Sequence, residues 1–137
     1  MTYDAIAQDL RHIARHPDMP DSTLILDATG VGKPVLDNFK RANRDTPIVP
    51  ITISAAETPS KEGNGWRVPV RDLVTNLALL LEKGHLKIAK QIPDAENLVN
   101  ELLATKATHA GGDSYATPGN LALSTALACW YAQQKMP

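Results

Sequence analysis

Ser22-Thr23-Leu24-Ile25-Leu26-Asp27-Ala28-Thr29-Gly30-Val31-Gly32-Lys33-Pro34 is the stretch on which the fold turns. Residues 22–27 form a short, continuous, largely apolar run rather than an alternating one, which suits a strand covered on both faces, as in a parallel sheet. Thr29 to Gly32 make a turn, and Pro34 fits the first helical position, where a missing N–H costs nothing. Val35, Leu36, Phe39 and Ala42 then give the next helix its inner face. Asp27 closes the strand, so its carboxylate should emerge at the carboxyl end, the edge where open α/β sheets bind ligands. The plainer reading of the same residue is a turn or cap. The turn is not a phosphate-binding P-loop, since Asp27 stands where that motif needs glycine and Pro34 where it needs Ser or Thr. The helix start could still attract an anion through its unpaired N–H groups.

Upstream, Ile6, Leu10, Ile13 and Ala14 fall on one stripe and predict an amphipathic helix over 4–16, ended by Pro17 and Pro20. Downstream, residues 48–53 read as a second strand. Pro50 within it cannot donate to a ladder, which predicts an edge position. Residues 55–66 are rich in Ser, Thr, Pro, Gly and Asn and read as a loop. A strong helix is expected from about Pro69 to Lys83, with Val70, Leu73, Leu77, Leu80 and Leu81 inward and Gly84 as its stop. His85 to Ala89 suggests a minor strand. Pro93 and Asp94 open a helix to about Ala104, Thr108 to Thr117 read as a second loop, and a last helix runs from about Pro118 to Gln134. That last helix carries Leu121, Leu123, Leu127, Ala128 and Trp130. Alternating helices and strands predict an α/β fold with a small, mostly parallel sheet and helices on both faces. No repeat or long linker divides the chain, so residues 1–137 read as a single domain.

A chain of 137 residues can bury a real core, roughly 68% of its unfolded surface. A 43% hydrophobic and 21% charged composition argues against disorder. The net charge of −1 lacks the strongly basic balance that marks many nucleic-acid binders. Lys33, Lys40, Arg41 and Arg44, and separately Arg67 and Arg71, fit solvated helix faces better than a binding patch. One cysteine, Cys129, excludes a disulfide framework and a cysteine-based zinc site, and it reads as a small core residue. The absence of an apolar run of membrane-spanning length predicts no membrane partner and a cytoplasmic protein. His12 and His16 share a helix face at a metal-capable spacing, but no Glu completes the metalloprotease pattern, and a surface pair is expected. His109 with Asp113 is as thin a signal. Trp66 reads as a loop anchor and Trp130 as core filler.

Five segments in order resemble the nuclease domain of the phage terminase large subunit. They are Asp27 to Gly32 with its helix, Val49 to Ile53, Val68 to Val74, Gly84 to Ala89, and Leu121 to Tyr131. The likeness spans most of residues 4–134. It implies a ribonuclease H-like fold, a phage- or prophage-encoded protein in the bacterial cytoplasm, and DNA as partner. The family cuts phage DNA during packaging. In it, carboxylates at strand ends and at the start of the last helix hold two magnesium or manganese ions, which activate water and stabilise an in-line displacement.

Asp27 matches the second of these acids. The strand bearing the first acid has no counterpart before the opening helix, so the fold resembles the family truncated at its N-terminal side. Asn120 stands at the third-acid position and brings a neutral carbonyl; Asp113 is a remote substitute. The resemblance therefore implies a catalytically incomplete or remnant form, with weak or absent metal binding at Asp27 and a terminase ATPase fragment as a candidate partner. The alternatives are a non-catalytic assembly module and a domain binding a phosphate-bearing ligand. With its neighbouring strand missing, the Ser22–Leu26 strand should show a bare edge, which predicts a homodimer paired through it.

Overall fold

The computed structural model describes residues 2–55, 57–109 and 118–135. The elements run α1 (Tyr3–Ala14), β1 (Leu24–Asp27), α2 (Lys33–Ala42), β2 (Ile48–Ser54), β3 (Ser60–Glu62), β4 (Gly65–Pro69), α3 (Val70–Glu82), α4 (Ala95–His109) and α5 (Asn120–Lys135). The fold is α/β, with a mixed four-stranded sheet in the order β1-β2-β4-β3. The chain forms two compact units, Met1–Ile53 with Ser60–Arg67, and Ser54–Pro59 with Val68–Pro137.

In the first unit, β1 and β2 run parallel, with Leu24 beside Ile48 and Asp27 beside Ile51. α1 and α2 pack on one face of this pair. Ala7, Phe39 and Ile48 are buried there, with Ile6, Leu10, Leu24, Leu26, Val35 and Ala42 around them. α1 starts with Thr2, whose hydroxyl accepts the Ala5 N–H at 3.1 Å, an N-cap of the usual kind. α2 begins one residue earlier than the proline rule suggests, at Lys33, with Gly32 as N-cap.

The loop reading of residues 55–66 is corrected over residues 60–62 and 65–66, which are strands. Ser60–Glu62 pairs antiparallel with the start of β4, with Lys61 opposite Trp66 and Glu62 opposite Gly65. Gly63 adopts φ 60°, the left-handed value that a two-residue hairpin turn requires at its first central position. The Lys61 ammonium lies 5.9 Å from the Trp66 ring centroid, so Trp66 anchors a hairpin strand rather than a loop.

The edge reading of Pro50 is also corrected, because β2 lies between β1 and β4. Leu24 N–H donates to Pro47 O at 2.9 Å and Ala28 N–H to Ile51 O at 2.8 Å. The odd-numbered residues of β2 therefore face β1, and by alternation Pro50 faces β4. Opposite it is Gly65, where a Cβ would overlap the Pro50 carbonyl oxygen and come within 2.8 Å of its Cγ. The proline fits at this place in the sheet because the neighbouring strand has a glycine beside it.

In the second unit, α5 packs against α3 and α4. Leu73 and Leu77 of α3 are buried, as are Ala122, Leu123, Ala126, Leu127 and Trp130 of α5. Ala122 and Ala126 bury the face that permits close helix approach, whereas Ala128 is exposed. Leu81, expected inward, is 37% exposed. α3 ends as its sequence predicts: Gly84 takes φ 70°, its N–H donates to Leu81 O, and the His85 N–H donates to Leu80 O, a Schellman closure. No strand forms over residues 85–89, because the Leu86 N–H is also turned back to Leu80 O. Among the described residues, no helix is long and apolar enough to cross a membrane.

Candidate functional site at the carboxyl end of β1

Asp27 is the last residue of β1 and is exposed. Its Oδ1 accepts two hydrogen bonds from Thr29, from the backbone N–H at 3.0 Å and from the hydroxyl at 2.6 Å. The Thr29 hydroxyl, having donated its proton, accepts the Ile53 N–H at 2.9 Å. Ladder bonding ends at Ala28, and a side chain takes over one step further along β2. The Asp27 side chain thus closes an Asx turn and fixes the relative ends of both parallel strands. Oδ1 is committed to this role; among the described residues Oδ2 accepts no hydrogen bond.

Of the residues expected to join Asp27, one is described. Asn120 is the first residue of α5, exposed and in the second unit. Asp113, like the rest of 110–117, lies outside the described residues. Among the described residues, no group of three or more His, Cys, Asp or Glu side chains is arranged to hold a metal ion. Two-metal chemistry needs several carboxylates converging on hard cations, and Asp27 offers one free oxygen. Asp27 and Asn120 by themselves do not fit a two-metal centre.

One acid escaped the sequence reading. The start of α5 is met by Glu101 of α4, whose Oε1 accepts the Leu121 N–H at 3.0 Å and the Ala122 N–H at 3.2 Å. A carboxylate there satisfies first-turn donors and complements the helix dipole. Gly119 makes room, since a Cβ at that position would run into the Glu101 side chain. The only cue in the sequence is a glycine just before a helix that has no capping side chain of its own.

The remaining candidates resolve into local roles. His16 Nδ1 accepts the Asp18 N–H at 3.1 Å, and both His12 and His16 are exposed. Arg67 lies 3.6 Å from Glu62, and Arg71 donates to the Glu57 carbonyl at 2.8 Å. Lys33, Arg41 and Arg44 are exposed and Lys40 is half-buried. Cys129 is partly buried, and that burial pushes its thiol up from the ordinary value, which keeps it protonated and a poor nucleophile. A cleft of about 500 Å³ lies at the opposite end of the strands, lined by Arg15, Asp21, Ser22, Asp45 and Thr46 among others. Its main charges neutralise each other, with Arg15 and Asp45 3.0 Å apart.

Comparison with known protein families, curated proteins and solved structures finds no match to this chain.

Proposed function

We propose that this chain is a nuclease-type scaffold of the DNA-packaging terminase kind, ribonuclease H-like in fold, that does not cut DNA on its own. The observation that carries the reading is Asp27, held at the carboxyl end of a parallel strand with one carboxylate oxygen free. The order of the resembling segments supports it. In this reading Asp27 is the retained metal-binding acid, binding magnesium or manganese weakly, and DNA is the substrate class. An ATPase-bearing terminase chain is the protein partner. Asn120 supplies no charge, and a lone carboxylate does not offset the repulsion between two divalent ions.

The test is plasmid cleavage by the purified chain in millimolar manganese. No nicking above a metal-free control is expected. Robust nicking that disappears in an Asp27→Asn variant would overturn the claim of an incomplete site. Nicking that survives the substitution would remove Asp27 from the reading altogether.

A second reading, a non-catalytic assembly module, is favoured by the outer edge of β1, with which no strand pairs among the described residues. The phosphate-ligand reading has less support: Pro34 has no N–H, and the Val35 and Leu36 N–H groups both bond to the Gly32 carbonyl. The first turn of α2 therefore keeps few donors for an anion.

A further inference from the structure

The two ends of the sheet are built differently. β3 closes one end with three exposed residues, Ser60, Lys61 and Glu62, short and charged as protected edges usually are. β1 closes the other end, and its sequence Leu24-Ile25-Leu26-Asp27 carries no lysine, proline or glycine. Among the described residues, no strand pairs with its outer side. The even-numbered residues of β1 bond to β2, as Leu24 and Ala28 show. By alternation, the N–H and C=O groups of Thr23, Ile25 and Asp27 point outward, an open template for another strand.

We propose that this edge pairs with the same edge of a second copy of the chain, antiparallel and symmetric about Ile25. Self-pairing is favoured because the strand is complementary to itself in this one register. Ile25 faces the partner's Ile25 in a hydrogen-bonded pair. Thr23 faces the partner's Asp27 on the same side of the sheet, a hydroxyl donor against a carboxylate whose Oδ2 is not used by the Asp27 turn. Leu24 faces the partner's Leu26 in the intervening non-hydrogen-bonded pair, where side chains approach most closely. Two-fold symmetry makes each contact twice. The inference does not depend on the nuclease reading, since it rests on strand order and register alone.

Sedimentation equilibrium of the full chain, followed into the high-micromolar range, tests it. The expected mass rises from 14.8 kDa toward twice that value with concentration. Ile25→Pro should abolish association while leaving the circular dichroism of the fold, because the N–H it removes faces outward and donates nothing to β2. Thr23→Glu, at an exposed position, keeps the test open should the proline variant fail to fold. It sets a carboxylate against the partner's Asp27 at two places and should weaken the dimer roughly fivefold, while Thr23→Lys should maintain or tighten it. A chain monomeric at every concentration overturns the proposal, as does a dimer indifferent to both Ile25→Pro and Thr23→Glu. Equal effects of Thr23→Glu and Thr23→Lys overturn the register. A monomer whose edge instead takes up an added extended peptide overturns the second copy as occupant.

Discussion

The turn uses one oxygen of Asp27, whereas the metal binding proposed above would use the charge of its carboxylate, so substitution can separate the two. Asp27→Ala removes the acceptor for both Thr29 bonds, at 3.0 and 2.6 Å. Each net hydrogen bond is worth about 1 kcal/mol, and water partly replaces them at this exposed site, so a loss of about 1–2 kcal/mol is expected. For a domain of this size that lowers Tm by about 3–8 °C. Asp27→Asn keeps an oxygen in the Oδ1 position, so the turn should survive with a cost under about 0.5 kcal/mol. Yet it removes the charge on which any divalent-ion affinity depends. Thermal unfolding by circular dichroism, beside manganese titration of the same three proteins, reads both properties. The expected pattern is Ala unstable and Asn stable, with both failing to bind manganese. An Asn variant as unstable as the Ala variant would refute the turn argument, and an Ala variant within about 0.3 kcal/mol of wild type would show the Thr29 bonds contribute nothing.

Three further outcomes follow from local contacts. Gly65→Ala should lower the urea midpoint by an amount equivalent to about 2–3 kcal/mol, because the new Cβ meets the backbone of Pro50, which cannot rotate away. Glu101→Ala should cost about 2 kcal/mol through the lost charge-assisted bonds to Leu121 and Ala122. Gly119→Ala should cost about 1 kcal/mol alone but close to nothing added to Glu101→Ala, since the atoms it would strike are then gone; simple additivity in urea unfolding would count against that contact.

Features set by neighbours in the chain were legible. The span of α3, its Gly84 closure and the strand–turn–helix from β1 to α2 depend on residues within a few positions of one another, so apolar spacing and a glycine suffice to find them. Features set by a distant partner were not. Pro50 obeys the edge rule locally, and only Gly65, facing it from β4, explains its interior place. Ser60–Glu62 contains no β-branched or aromatic residue, and it becomes a strand because β4 lies beside it. Its one local cue was Gly63-Asn64, hidden in a polar stretch. Ile88 sits in a short mixed segment that forms no strand, since its start is turned back onto the end of α3. Of the site, Asp27 was legible because a strand end and a turn mark it together. Glu101 was not, because it serves a helix start twenty residues away.

The Thr29 hydroxyl explains why a single acid is presented so definitely here. Ladder bonding from β1 stops at Ala28, and the next strand-side donor, the Ile53 N–H, goes to a side chain instead. β2 continues to Ser54 while β1 has ended at Asp27, whose register partner is Ile51. The carboxylate therefore stands at a step in the sheet, beside a strand that outruns its own by three residues. Two hydrogen bonds to one oxygen fix its rotamer, so Oδ2 is held in place at no further entropic cost. In the proposed metal-binding role such a carboxylate would be one ligand among several, too poor in charge to hold a divalent ion tightly alone. Its chemistry would depend on acids brought to the step from elsewhere. Among the described residues, no strand pairs with the outward backbone groups of Thr23, Ile25 and Asp27, so the pairing and the metal binding proposed above would meet at one residue, Asp27.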